Sequence, residues 1–147
     1  MGGAIYLGNC NCNIINLNLT YNGGWNGGAI YTSNSNCTIT NSNLINNSAQ
    51  VNGGAISTEY SNCTITNTNL TNNIAEVSGG SIYTKDSNCS IINSKLINNT
   101  SLKTGGAIYN DSSVLNLKSC TFKDNEAEEG NYIYNYTTNT TLSLKKN

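Results

Sequence analysis

The chain of 147 residues has no histidine, no proline and, among its seven basic residues, no arginine. Acid–base chemistry near neutral pH leans on histidine, and bidentate recognition of phosphate or carboxylate leans on arginine. Charge of either sign is scarce: 10% of residues carry it, the net value is -1 and the isoelectric point is about 5.2. Such a chain offers no basic face to nucleic acid, which is excluded as a partner. No apolar run reaches the roughly 18 residues that a membrane helix needs, so no transmembrane segment is expected. A signal peptide is missing as well, because Met1 is followed at once by Gly2-Gly3 and repeat sequence. That start reads as a piece excised from a longer repeat protein, or as a truncated gene.

Asn and Thr are abundant and together approach a third of the chain. They are also ordered. The stretch "GGAIYTSNSNCTITNSNLINN" from Gly27 returns as "GGAISTEYSNCTITNTNLTNN" from Gly53 and "GGSIYTKDSNCSIINSKLINN" from Gly79. Repeats start at Gly2, Gly27, Gly53, Gly79, Gly105 and, more weakly, Gly130, at intervals of 25 or 26 residues. Aligned on these starts, the repeats share an Ile column (Ile5, Ile30, Ile56, Ile82, Ile108, Ile133) and a second apolar column (Ile14, Ile39, Ile65, Ile91, Leu117, Leu142). Leu19, Leu44, Leu70, Leu96 and Phe122 form a third, each followed three residues later by Asn22, Asn47, Asn73, Asn99 and Asn125.

Within a repeat, side chains alternate with period two, as in Cys63-Thr64-Ile65-Thr66, and β-branched or turn-forming types replace helix formers. About three short strands per repeat, with Gly or Asn corners, bury almost nothing alone and must stack on their neighbours. Stacking at about 4.8 Å per coil predicts an all-β, right-handed parallel β-helix of about six coils, near 30 Å long. A leucine-rich repeat shares the period, but "NSNLINNSAQVN" is a poor helical arm. The whole chain, residues 1–147, is read as one domain.

"GGAIY" at 105–109 followed by "FKDN" at 122–125 resembles the repeat of chlamydial polymorphic outer-membrane proteins. In other coils Leu stands for the Phe. The Asn and Thr content is closer to adhesin-like surface proteins of methanogenic archaea, which carry the same kind of pectate-lyase-like repeat. This resemblance implies a secreted or cell-surface protein that contacts a glycan, a host or a neighbouring cell. No translocating barrel follows the repeats, so the chlamydial mode of export is not implied.

Four features are candidates for more than masonry. Cys12, Cys37, Cys63 and Cys89 share one column and the parity of the inward Ile two residues on, so they should form a buried thiol ladder. Neighbouring Cα atoms fall within disulfide range, yet parallel strands set their Cβ vectors side by side. A straight ladder also fails to converge on a metal. Cys10 and Cys120 lie off the column without an obvious partner. The Asn22, Asn47, Asn73, Asn99 and Asn125 column, with a second through Asn16, Asn41, Asn67 and Asn93, should hydrogen-bond from coil to coil. Tyr6, Tyr31, Tyr83, Tyr109 and Tyr134, with Ser57 in the gap, have outward parity. They could stack on sugar rings, or on one another to stiffen the sheet.

The remaining signals are weaker. Glu59, Lys85 and Asp111 should form a surface row of alternating charge, with Asp86 beside it. A lyase or hydrolase on this fold needs clustered carboxylates with a cation or basic group, so no catalytic residues, metal or cofactor are assigned. Thr38 and Thr64 with Ser90, and Thr40 with Thr66, suggest an ice-binding face, broken by Ile15, Ile92, Asn116 and Lys118. Glycosylation sequons recur at Asn36, Asn62, Asn88, Asn98 and Asn139. The first coil has no covering helix, so association through that end is expected, whereas "KDNEAEEG" and "LKKN" read as a polar cap. The leading expectation is a non-catalytic, adhesin-like stalk or display rod. The alternative is a carbohydrate-active or carbohydrate-binding β-helix.

Overall fold

The computed structural model describes residues 2–137 and 141–145, without the side chains of 141–143 and 145. One coil, starting at Gly27, explains the rest. Its strands are Ile30–Ser33, Asn36–Thr40, Asn43–Ile45 and Ser48–Asn52. Three corners of two residues separate them, and Gly53-Gly54-Ala55 leads into the next coil.

Each corner has two jobs, done by two residues in order. The first takes a positive φ: Asn34 at 49°, Asn41 at 50°, Asn46 at 58° and Gly53 at 67°. Asn tolerates the left-handed region better than most side chains, and Gly has no Cβ to clash there. The second residue turns inward and ties the coil to the next one. Ser61 Oγ accepts the Ser35 N–H at 3.1 Å and donates to the Glu59 carbonyl at 2.8 Å. Ser94 Oγ does the same for the Thr68 N–H and the Ile92 carbonyl. At the third corner Asn73 Oδ1 accepts the Asn47 N–H at 3.0 Å. At the fourth, a Cβ on Gly54 would collide with the Gly80 carbonyl oxygen of the next coil, which is why the glycine is doubled.

Stacked coils give four parallel sheets of six, six, five and four strands, about five turns of chain. Register is strict in the first three sheets, with Ile30 on Ile56, Cys37 on Cys63 and Leu44 on Leu70. The three apolar columns meet inside: Ile30, Ile56, Ile82, Ile108, Ile39, Ile65, Ile91, Leu44, Leu70 and Leu96 are fully buried. Each such side chain contributes about 1.5–3 kcal/mol of burial.

Three strands per coil were expected, and the fourth is the difference. It arises from "SAQVN", whose inward residue is only Ala49, and it shrinks to Ile74–Ala75 and Thr100–Ser101 in later coils. Small inward residues carry little β signal, so the alternation is muted there. The Asn16, Asn41, Asn67 and Asn93 column also differs from expectation. These residues are exposed and serve mainly as positive-φ corners, with one amide pair, Asn67 Nδ2 to Asn41 Oδ1 at 3.2 Å.

Candidate functional site

The buried Asn ladder is the most complete of the expected features. Asn22, Asn47, Asn73, Asn99 and Asn125 are linked amide to amide at 3.0–3.1 Å. Each Nδ2 from Asn47 onward also donates to a backbone carbonyl near 2.9 Å, those of Leu19, Leu44, Leu70 and Leu96. All four hydrogen-bonding directions of a central rung are filled inside the rod, so this ladder has nothing left to offer a ligand.

The cysteine column needs one correction. Cys37, Cys63 and Cys89 are buried free thiols stacked in register, but Cys12 is joined to Cys10 in a disulfide. Cys10 stands in the Ser35, Ser61 and Ser87 corner column, two residues from Cys12, and both lie at the rod's first coil. Cys120 likewise stands in the Ser42, Thr68 and Ser94 column, and its thiol donates to the Ile91 and Lys118 carbonyls at 3.2 and 3.5 Å. The two off-column cysteines are thus substitutes for corner hydroxyls, a relation visible in the sequence once the Ser columns are aligned. The neighbouring Cys63 thiol, and then burial, push the Cys37 thiol far up in pKa.

The tyrosine row has the outward parity expected but not the openness. Tyr6 and Tyr31 stack at 5.5 Å, Tyr83 and Tyr109 at 5.2 Å, and Tyr109 and Tyr134 at 5.5 Å. Neighbouring rings cover one another's faces, leaving Tyr83 8% and Tyr109 9% exposed, against 56% for the end ring of Tyr6. Ser57 in the gap is fully buried. Burial, and then the Asp111 carboxylate, raise Tyr109 to about 12, and the same causes raise Tyr83 further. Burial followed by Glu59 raises Tyr31 to about 12. The central rings therefore present little open face to solvent.

The charge row is in register, Lys85 between Glu59 and Asp111, yet its members are not in ion-pair contact. Among the described residues the one ammonium–carboxylate contact within 4.0 Å is Lys123 to Asp124. Thr38, Thr64 and Ser90 do align outward, but Asn13 and Asn116 flank them in the same row. Among the described residues no group of His, Cys, Asp and Glu is arranged to hold a metal, and no helix is long and apolar enough to cross a membrane.

Two exposed features along the first corner were not expected from the sequence. The sequon residues Asn36, Asn62 and Asn88 form a second, exposed ladder with Asn11, linked at 2.8–3.0 Å. With Tyr60 and Asp86 it lines an open polar groove of about 880 Å³ along the first corner. The sequon at Asn139 lies outside the described residues, as do the last two residues of the terminal "LKKN".

The model of the family described as "right handed beta helix region" matches residues 1–147. The chain belongs to this family. Right-handed β-helices are therefore the frame for its function, and the hand expected from the sequence is shown. No curated protein and no solved structure matches this right-handed β-helix. Its repeats fit a structural solenoid whose interior ladders leave only the outer rows and grooves to meet a partner.

Proposed function

We propose that this right-handed β-helix is a non-catalytic, adhesin-like stalk or display rod at a cell surface, whose outer faces touch a glycan or a neighbouring cell. The supporting observation is the regularity of the rod: in each coil from Gly27 to Ile108, three of the four corners hold two residues. Two-residue corners supply no long loops to wall a cleft, whereas a catalytic cleft needs walls that hold carboxylates over a bond. The resemblance to Asn- and Thr-rich adhesin-like surface proteins points the same way.

Labelling of the encoding cells with antibody to the purified chain tests the location. Intact cells that label as strongly as permeabilised ones support the reading, and label confined to permeabilised cells refutes it. A second reading, a carbohydrate-binding rod, is favoured by the groove beside Tyr60, since an aromatic ring among amides is a common way to hold sugar. A glycan-array screen of the folded chain separates a binding rod from a plain spacer.

A further inference from the structure

Trp25 is the only tryptophan in the chain, and it stands where the repeat changes length. The first repeat interval is 25 residues where the next three are 26. The missing residue is absorbed beside Trp25: Gly24 pairs with Ala49, but Asn26 pairs with Asn52, so Trp25 faces two residues, Gln50 and Val51. An irregularity of this kind re-aims a side chain. The indole is 60% exposed, an unusual state for so large an apolar group.

The ring borders a cavity of about 320 Å³ on the outer face of the fourth sheet. Gln50 and Glu76 continue its outward row on the next two coils, since Ala49 and Ala75 are paired. The adjacent row runs from Gly23 through Ser48 to Ile74. Gly23 has no side chain where its neighbours do, and a Cβ there would meet only Ser48, at 3.6 Å or more. An indole, an amide, a carboxylate, a hydroxyl and the exposed Ile74 side chain thus line a hollow. The ring suits the C–H face of a pyranose, and the polar groups suit its hydroxyls.

We propose that Trp25, Gln50 and Glu76 bind one sugar residue of a neutral glycan on the fourth sheet, away from the tyrosine row. Neutral sugars are specified because Glu76 repels a uronate carboxylate. This inference rests on the glycan-contact reading above and gives it a site.

The indole itself reports on the site. Tryptophan emission would be followed while neutral gluco-, manno-, xylo- and chito-oligosaccharides are added, with polygalacturonate as the acidic comparison. The expected result is a saturable change with one neutral series and none with polygalacturonate. On a glycan array Trp25→Ala should weaken that signal about tenfold, the scale of one lost ring contact, with part of it kept by Trp25→Phe. Array binding that leaves the emission unchanged, or that survives Trp25→Ala, overturns the site but not glycan contact. Loss on Tyr60→Ala with Trp25→Ala still binding assigns the sugar to the corner groove. A change in sedimentation on Trp25→Ala without glycan binding makes the patch a self-contact and refutes the proposal. No glycan bound by the folded chain refutes both site and glycan contact, while surface labelling still tests the stalk.

Discussion

Truncating Asn73 to alanine removes the middle rung of the buried ladder. Its side chain makes four hydrogen bonds: Oδ1 accepts from the Asn47 N–H and Nδ2, and Nδ2 donates to the Leu44 carbonyl and Asn99 Oδ1. Two of those partners keep another bond, since Asn47 Nδ2 still donates to the Leu19 carbonyl and Asn99 Oδ1 still accepts the residue 73 N–H. The Asn47 N–H and the Leu44 carbonyl lose the Asn73 side chain inside the rod. At about 1 kcal/mol per lost bond, the expected cost is about 4 kcal/mol. In a domain of this size that is a fall of roughly 8–16 °C in the unfolding midpoint. Asn62→Ala is the comparison, because it also breaks two amide bonds, to Asn36 and Asn88, but on the exposed ladder. Its cost should stay within about 0.5 kcal/mol. Circular dichroism melts give the midpoints, and hydrogen exchange should show the Asn47 amide losing protection in Asn73→Ala. Equal losses in the two variants, or a loss below about 1 kcal/mol for Asn73→Ala, would refute the view that burial gives this ladder its worth.

Gly54→Ala drives a Cβ into the Gly80 carbonyl and should cost about 3 kcal/mol or more, whereas Gly23→Ala, with only Ser48 nearby, should melt within a few degrees of the parent. Tyr31 and Tyr109 are raised to about 12 in the folded rod from an ordinary value of 10.0, so above pH 10 the unfolded chain gives up protons that the folded rod keeps. Stability is thus fully present below pH 10 and should fall as pH rises toward 12, with the phenolate absorbance of these rings appearing late in a titration; stability flat across that range would contradict their burial. Native protein should expose at most Cys120 to a thiol reagent, and denatured protein all four free thiols, because Cys37, Cys63 and Cys89 are buried. Rapid native labelling of three or more thiols would show that the column is open. Tyr83→Ser should act on the melt, by about 1 kcal/mol or more from the lost stacking, rather than on any glycan signal.

The period, the inward columns and the need to stack were legible from residue types alone. A strand turns every second side chain inward, and repeats of constant length put like residues at like places. The corners were legible only in part. The Gly pairs and the third-corner Asn column announced themselves, but the two Ser and Thr columns did not, because a hydroxyl that bonds the next coil looks the same in sequence as one that faces water. Cys10 and Cys120 were orphans for that reason. The tyrosine row shows the reverse limit: parity places a ring outside, but whether it is open depends on how neighbouring rings lie, and here each covers the next.

What the sequence determined by itself was the coil: its length, its inward residues, and the Asn or Gly that must bend it at positive φ. These follow from local geometry and hydrophobic periodicity, which act between residues near in the chain. Tertiary structure alone decided the fourth sheet, the pairing of Cys10 with Cys12, the closing of the tyrosine row and the hollow beside Trp25. The disulfide is local, joining residues two apart, and rests on how the first corner sets the two side chains. The other three depend on side chains about 25 residues apart or on the space between coils, and distances of that kind exist only once the chain has wound around on itself.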